Sequence, residues 1–339
     1  MIVTKSNAFY FHKETLFVKK VFVCALLFLT ILLTFGELYP RKSQKIDLST
    51  GAGISKMLRY DDAQVYLFGE THRCTEYQQF RNVLFKYLVK EKGVRVFVEE
   101  AGYATTFLEN ETVQGRLSFS DWLDRCTSSK EDYELYQWIA DWNSGREDAD
   151  KISIIGIDIT DNIGNMQMLC QYLLKTCNFT GADVQTQRLL TAIRKQNPFS
   201  SLQLQTFQDE FLPQLIELYQ TKPEQLENVL GTQAMHLERA LLGWQEALEQ
   251  QRLRGKAEQL GDSDDVYREN CLYENFMREY QERPDTKYYG EFGAAHVLMS
   301  DYSGKIYRVQ NSFVTRLAEE GSPLNLSLIH ISEPTRLDV

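Results

Sequence analysis

The sequence contains few of the residues that carry nucleophilic chemistry, with six cysteines and five histidines among 339 residues. No two cysteines have C-x-x-C spacing, and no G-x-S-x-G nucleophile elbow occurs. These absences leave covalent acyl-enzyme chemistry without support. We expect the cysteines to be free thiols, with a Cys170–Cys177 disulfide as the alternative.

Clusters of Lys and Arg are also lacking. The net charge is −10 and the isoelectric point is near 5.2, which excludes a phosphate-binding surface and argues against a nucleic-acid partner. Hydrophobic residues make up 43% of the chain and charged residues 25%, as in a folded domain with a substantial core.

The longest hydrophobic run lies near the N-terminus. Lys19 and Lys20 precede an apolar stretch from Val21 to Phe35, and no small-x-small cleavage site follows it. We therefore expect residues 1–45 to form a signal-anchor segment with a transmembrane helix over residues 21–35. A cleaved signal peptide is the alternative. Either would place the catalytic domain outside the cytoplasm, membrane-anchored or exported.

The C-terminus has an unusual sequence. Residues 327–339 read SLIHISEPTRLDV, which resembles a translated sequencing adapter. We expect residues 325–339 to be a non-native tail, because the segment offers no periodicity with which to dock.

Short β-rich runs alternate with helical stretches, which is typical of an α/β fold with a mainly parallel central sheet flanked by helices. The five runs are Gln64–Phe68, Val94–Val98, Ile152–Ile157, Lys287–Tyr289 and Lys305–Val309.

Helix signals divide the chain further. Thr75 with Gln78 could form a capping box, and Gly93 lies where a C-terminal cap belongs. Residues 183–262 are rich in Gln, Leu and Glu and are interrupted by prolines, which predicts an α-helical insertion. The two halves of the α/β core would then be residues 46–182 and 263–324.

Acidic residues and histidines follow the predicted strands. Glu70 and His72 follow the first run, Glu99 and Glu100 the second, and Asp158 ends the third. Ligands bind at the carboxyl ends of strands in α/β sheets, and histidine has the natural pKa for a general base. Adjacent residues on a strand face opposite sides, so only one of the two glutamates can reach a shared site, and Glu100 is our choice.

A histidine also follows the fourth run. His296 ends the segment Tyr289-Gly290-Glu291-Phe292-Gly293-Ala294-Ala295-His296. Of the other histidines, His12 precedes the apolar run, His330 lies in the tail, and His236 falls in the helical insertion, where we expect a surface or packing role.

Together these motifs resemble the erythromycin esterase family and, more remotely, ChaN-like and TraB/TIKI-like proteins, over about residues 64–309. The family's early Glu and His fall on Glu70 and His72, and its strand-end Glu falls on Glu99 or Glu100. The other family positions fall on Arg81, Asp158, Arg268, Glu269, Asn275 and His296. The erythromycin esterase family commonly has two residues between this Glu and His. Here Thr71 alone separates Glu70 from His72, which is closer to the ChaN-like pattern.

The resemblance implies a hydrolase in which His72 activates water for attack on an ester or lactone of a small molecule. Glu70 and Glu100 would position the water, Arg81 and Arg268 would bind substrate oxygens, and His296 would support the developing charge. Glu99, Asp158, Glu269 and Asn275 would bind substrate or support these residues. No cofactor is expected.

Two alternatives remain open. A divalent metal held by Glu70, His72, Glu100 and His296 would give a TraB/TIKI-like peptidase. A ChaN-like iron- or haem-binding surface protein would have no catalytic activity.

Overall fold

The computed structural model describes residues 46–58, 62–72, 74–120, 129–159, 162–259, 266–300, 302–303, 308–309, 311–319 and 321–330. Its centre is a five-stranded sheet in which every pairing is parallel, in the spatial order β3-β2-β4-β1-β7. The α/β fold class predicted from the sequence is confirmed. In chain order the strands are β1 Val65–Glu70, β2 Val96–Gly102, β3 Ser153–Asp158, β4 Tyr288–Gly293, β5 Tyr302–Ser303, β6 Arg308–Val309 and β7 Leu326–His330.

Helices connect the strands of the sheet. Within the described residues, four helices, α1 to α4, precede β3, seven form a long helical excursion between β3 and β4, and one lies between β6 and β7. The bounds are α1 Ile54–Met57, α2 Thr75–Tyr87, α3 Tyr103–Val113, α4 Lys130–Asn143, α5 Ile163–Leu174, α6 Val184–Arg194, α7 Ser201–Thr206, α8 Leu212–Thr221, α9 Pro223–Leu230, α10 Ala234–Gln259, α11 Val266–Glu282 and α12 Phe313–Leu317.

The end of α2 follows the sequence signal, whereas its start does not. Gly93 terminates the π-helical turn Leu88–Lys92 with φ of 78°, a left-handed conformation that glycine adopts without strain. At the other end Cys74 is the N-cap and its side chain makes no capping hydrogen bond, so the predicted capping box is not formed.

The two faces of the sheet bury different side chains because successive residues of a strand point to opposite sides. On one face Val98 packs with Phe276 of α11 and Phe313 of α12 in a buried apolar cluster. On the other face Phe97 packs against Phe85 of α2 at a centroid distance of 5.0 Å. Both faces are covered, as is usual for parallel sheets.

The edge of the sheet differs from the prediction. Leu326–His330 pairs with β1 in parallel register, so the expectation that residues 325–339 have no docking is wrong for this strand. Leu326 and Leu328, which alternate with Ser327, supply the period of two that a strand needs. Of the predicted run Lys305–Val309 the structure describes Arg308–Val309, which pairs antiparallel with Tyr302–Ser303 in a separate two-stranded sheet.

The predictions of a transmembrane helix, a signal anchor and a membrane partner are corrected. Within the described residues, no helix has both the length and the apolar character needed to cross a bilayer. The run from Val21 to Phe35 lies outside those residues. The predicted membrane contact through residues 21–35 therefore has no support in the structure.

Cysteines in the described chain are unpaired. Cys74, Cys170, Cys177 and Cys271 are free thiols, so the alternative Cys170–Cys177 disulfide is not formed.

Candidate active site

The carboxyl ends of four neighbouring parallel strands bring the predicted site residues together. Glu70 ends β1, Glu100 and Asp158 lie at the ends of β2 and β3, and His296 follows β4 in the short 3-10 turn Ala294–Val297. The order of the strands explains this, because β2 and β4 are adjacent and lie between β3 and β1.

His72 is held by the glutamate two residues before it. Its Nδ1 lies 2.7 Å from Glu70 Oε1, and its side chain keeps 61% exposure. The hydrogen bond with Glu70 raises the pKa of His72, burial opposes that shift, and the charge of Glu100 adds to it. Because Nδ1 is engaged, Nε2 is the nitrogen that can exchange a proton with a ligand.

Glu100 lies between the two histidines. Its Oε2 accepts a hydrogen bond from the backbone N–H of Gly293 at 2.6 Å and lies 4.0 Å from His72 Nε2. Its Oε1 lies 3.3 Å from His296 Nε2. Burial would raise the pKa of Glu100, but the hydrogen bond with His296 and the charges of His296 and Arg268 hold it well below the usual range. Glu100 is therefore a carboxylate at neutral pH.

Arg268 of α11 joins the ends of β2 and β3. It donates to both carboxylate oxygens of Asp158, at 2.9 and 2.6 Å, and to Glu100 Oε1 at 2.7 Å. Burial works against its charge, but the hydrogen bonds and charge of Asp158, with those of Glu100, raise the pKa of Arg268. The planar guanidinium thus fixes the spacing of two buried carboxylates.

His296 belongs to a second glutamate–histidine pair. Its Nδ1 lies 2.5 Å from Glu269 Oε1, and Glu269 Oε2 accepts from the backbone N–H of Phe313 at 2.6 Å. Burial disfavours the charged form, yet the hydrogen bonds to Glu100 and Glu269 raise the pKa of His296 to about 9. Glu100 Oε1 therefore contacts two cations, Arg268 and His296. The Nη1 atom of Arg268 lies 3.2 Å from Nε2 of His296.

A cavity of about 530 Å³ opens beside this cluster. Four of its described lining residues, His72, Glu100, Asp158 and Arg268, also form the ion pairs described above. The other described lining residues come from the end of β2 and from the starts of α3 and α5. Those remaining residues are Ala101, Gly102, Thr105 and Asn162.

Six predicted site residues are not part of the described cavity lining. Glu70, Glu269 and His296 belong to the hydrogen-bonded pairs described above, whereas Asn275, Glu99 and Arg81 contact other parts of the fold. Asn275 donates to the backbone carbonyl of Ile157 at 3.0 Å and supports β3. Glu99 faces the opposite side of the sheet from Glu100, as strand alternation requires, and accepts from Tyr136 Oη at 3.0 Å. Arg81 is also on that opposite side.

Arg81 is a buried ion-pair residue. Its Nη1 lies 2.8 Å from Asp132 Oδ1 and 3.2 Å from Glu291 Oε2, and its side chain is 7% exposed. The prediction that it binds substrate oxygens is therefore not matched by its position. Burial raises the pKa of Glu291 although the charge of Arg81 lowers it, and burial likewise raises the pKa of Glu99.

The alternative set of metal ligands is engaged in other contacts. Glu70 holds Nδ1 of His72, while Glu100 and His296 are bound within the Arg268 network. Among the described residues, no group of three His, Cys, Asp or Glu side chains is placed to hold a metal ion.

Two residues of the cavity lining, Thr105 and Asn162, have no signal in the sequence analysis. Thr105 lies in the first turn of α3 and Asn162 is the N-cap of α5, where sequence alone gives no direction towards a cavity. On the other side of the sheet, Asp132 and Glu291 pair with Arg81. Glu291 lies in the segment that ends at His296, which is the signal that could have identified it.

No family model matches the chain, and no curated protein matches its sequence. The fold is similar to that of a variant of the erythromycin esterase EreC in its open conformation, with a TM-score of 0.58 and 14% identity over 85% of this chain and 76% of that one. A Bacillus cereus protein gives a TM-score of 0.52 and 19% identity, covering 86% and 71% of the two chains.

A third similar structure is a succinoglycan biosynthesis protein, with a TM-score of 0.52 and 18% identity over 82% of this chain and 68% of that one. At these identities the likeness concerns the fold alone. The chain thus has a distant erythromycin-esterase-like fold.

Proposed function

We propose that the protein is a hydrolase in which His72 removes a proton from water that attacks an ester or lactone of a small molecule. The observation that carries the proposal is that His72 is both oriented by a hydrogen bond and exposed. Glu70 fixes its Nδ1, while 61% of the side chain stays exposed beside the cavity. A general base needs both an oriented ring and access to the reacting proton.

In the reaction, the water oxygen forms a bond with the carbonyl carbon while His72 Nε2 takes a water proton. The tetrahedral intermediate then collapses, the carbon–oxygen bond to the leaving group breaks, and His72 returns the proton to the departing oxygen. The products are a carboxylic acid and an alcohol, or a hydroxy acid from a lactone.

Positive charge is available for the negatively charged intermediate. Arg268 lines the cavity, and His296 behind it carries a proton at neutral pH because its pKa is raised to about 9. Fixed charges in a partly dehydrated site stabilise developing charge without reorganisation. Likeness to an esterase fold is consistent with this chemistry.

Hydrolysis of an ester and lactone panel by the purified full chain tests the proposal. His72→Asn should lower kcat by about 100-fold or more, the scale of losing a general base. His236→Asn is a matched control, because His236 lies outside the cavity lining and packs against Phe107 at a centroid distance of 4.8 Å. Equal loss of kcat in both variants would contradict the role of His72.

A parallel series with a chelator separates this mechanism from the metal-dependent alternative. We expect unchanged rates after chelation. Loss of activity that a divalent metal restores would favour the TraB/TIKI-like peptidase chemistry instead.

A further inference from the structure

A second group of ionisable side chains lies on the side of the sheet that Glu99 faces, outside the described cavity lining. Arg81 of α2 forms ion pairs there with Asp132 of α4 and Glu291 of β4. Glu99 and Glu109 belong to the same group, because the charge of Asp132 acts on both of them. Among the described ion pairs of this group, none includes Glu99 or Glu109.

Glu99 of β2 and Glu109 of α3 lie within hydrogen-bonding range of each other. The hydroxyl of Tyr136 has a single proton, which it donates to Glu99 Oε1 at 3.0 Å. Oε2 of Glu109 is buried and accepts from no N–H or O–H group of the described chain. A carboxylate has no proton to donate, so a hydrogen bond between the two carboxyl groups requires a proton on one of them.

Burial and charge place that proton on Glu109. The residue is 9% exposed, and burial raises its pKa well above the ordinary value of 4.5. The charge of Glu99 and the hydrogen bond with it raise this pKa further. Burial also raises the pKa of Glu99, but the hydrogen bond from Tyr136 and the charge of Arg81 lower it. Glu99 is therefore the better acceptor and Glu109 the better donor.

The elements around α3 carry further ionisable groups. Asp132 adds negative charge, which disfavours ionisation of Glu109, and Arg81 is already engaged with Asp132 and Glu291. Other ionisable side chains on these elements are Glu99 of β2, Tyr136 of α4 and, with partners elsewhere, Asp158 of β3, Tyr172 of α5 and His236 of α10. A negative charge on Glu109 would thus face Glu99 and Asp132 without an ion-pair partner in the described chain.

We propose that Glu109 is a proton-binding site of the folded protein, which is protonated at neutral pH, donates to the carboxylate of Glu99 and so joins α3 to β2. When the pH rises far enough, the proton leaves to water, and two adjacent carboxylates then repel each other in the interior. Neither residue takes part in the proposed hydrolysis.

The site gives the stability of the protein a pH dependence of known sign. The pKa of Glu109 is higher in the folded protein than its ordinary value of 4.5, which applies to the unfolded chain. The stabilisation is therefore fully present below the pKa of the unfolded chain and is lost as the pH rises through that of the folded protein. Between the two, the equilibrium constant for unfolding rises about tenfold per pH unit for one proton.

Urea denaturation of the full chain at about pH 5.5 and about pH 6.5 tests the proposal. Glu109→Gln introduces a neutral amide that can still donate to Glu99 but binds no proton. Over this interval the unfolding constant of Glu109→Gln should rise about tenfold less than that of the unmodified protein. An equal rise in the two proteins would overturn the proposal.

Tyr289→Phe is the matched control. Tyr289 is fully buried on the same side of the sheet, and its hydroxyl has no hydrogen-bond partner in the described chain. Burial raises the pKa of Tyr289 well above 10, so the hydroxyl does not ionise in the tested interval. This variant should keep the pH dependence of the unmodified protein. If it lost the pH dependence as Glu109→Gln does, the effect would come from disturbing the interior and the proposal would fail.

Infrared spectroscopy supplies a measurement on the folded protein that does not depend on unfolding. At neutral pH the unmodified protein should show the carbonyl stretch of a protonated carboxylic acid. The band should lose intensity in Glu109→Gln and keep it in Tyr289→Phe. Absence of the band from the unmodified protein would show that Glu109 is ionised and would overturn the proposal, even if Glu109→Gln does not fold.

Discussion

Gly293 is the residue that allows the two histidine-bearing segments to meet. A Cβ atom at this position would lie 2.9 Å from His72 Nε2 and 3.4 Å from Glu100 Oε2. Its backbone N–H also donates to Glu100. The absence of a side chain at the end of β4 therefore lets Glu100 and His72 approach one another.

Gly293→Ala should displace the imidazole of His72, because real Cβ atoms do not tolerate so short a contact. We expect kcat to fall by about 10-fold to 100-fold, since small misplacements of a catalytic group are costly. The melting temperature should change little, because the flexible His72 side chain can move into the cavity. Steady-state kinetics with thermal denaturation checks both. Gly255→Ala, which meets no atom within 4 Å, is the control. Full activity of Gly293→Ala would show that catalysis does not depend on the present position of the His72 imidazole.

The pH dependence of catalysis should report the ionisation of His72. A general base must be neutral, so kcat/KM should rise as pH increases through the pKa of His72, which lies above its ordinary value of 6.5. The hydrogen bond with Glu70 is the main cause of that raised pKa.

Glu70→Gln removes that carboxylate and should therefore move the acidic limb of the profile to lower pH while lowering the maximal rate. The control is Glu76→Gln, because Glu76 is exposed on the next helix and should leave the limb in place. An acidic limb that Glu70→Gln does not move would remove His72 as its source.

At the scale of elements, the sequence predicted which residues end the strands but only part of what each contacts. Glu70, Glu100, Asp158 and His296 gather because parallel strands share one carboxyl edge, and each was predicted from a β-rich run followed by a polar residue. Arg81 lies on a helix, where periodicity gives a buried stripe but does not say which buried partner a long side chain will reach.

The position of Arg81 gives a prediction about stability. Arg81→Met leaves Asp132 and Glu291 without their cation in the interior, which should lower the free energy of unfolding by about 3–5 kcal/mol. The double variant Arg81→Met/Glu291→Met should lose less, since it also removes a buried carboxyl group that has lost its partner. Chemical denaturation of the three proteins measures these differences.

Activity distinguishes this role from the one predicted by sequence. Arg81→Lys should keep a charge in the interior and keep kcat within a few-fold. If Arg81→Lys were as stable as the unmodified protein but inactive, Arg81 would act on the substrate as the sequence analysis expected.

At the scale of the whole molecule, the parallel α/β architecture followed from the alternation of β-rich runs and helices. The spatial order of the strands did not, because it depends on which side of the sheet each connection crosses. The excursion between β3 and β4 is long, and β4 inserts between β1 and β2. The outer position of β7 depends on a segment whose sequence resembles foreign material.

Strand β7 contributes backbone and side-chain contacts to the sheet. The carbonyl of Asn325 accepts from the backbone N–H groups of Gln64 and Val65 at 2.9 and 3.1 Å. Leu326 and Leu328 pack against the core cluster on one face. Ile329 is buried on the other face.

Truncation decides between the sequence-based and structure-based views of this segment. A chain ending at Pro323 loses β7, leaves an edge of β1 unpaired and exposes the apolar side chains that β7 covers. We expect the free energy of unfolding to fall by about 3 kcal/mol, the scale of burying one or two large apolar side chains, and the truncated chain to aggregate more readily through its open edge.

A chain ending at His330 keeps the strand and is the matched control. Thermal and chemical denaturation of the two chains isolates the contribution of β7. A difference of no more than about 1 kcal/mol, the scale of surface changes, would mean that the strand adds little and that the non-native tail expected from the sequence is the better description.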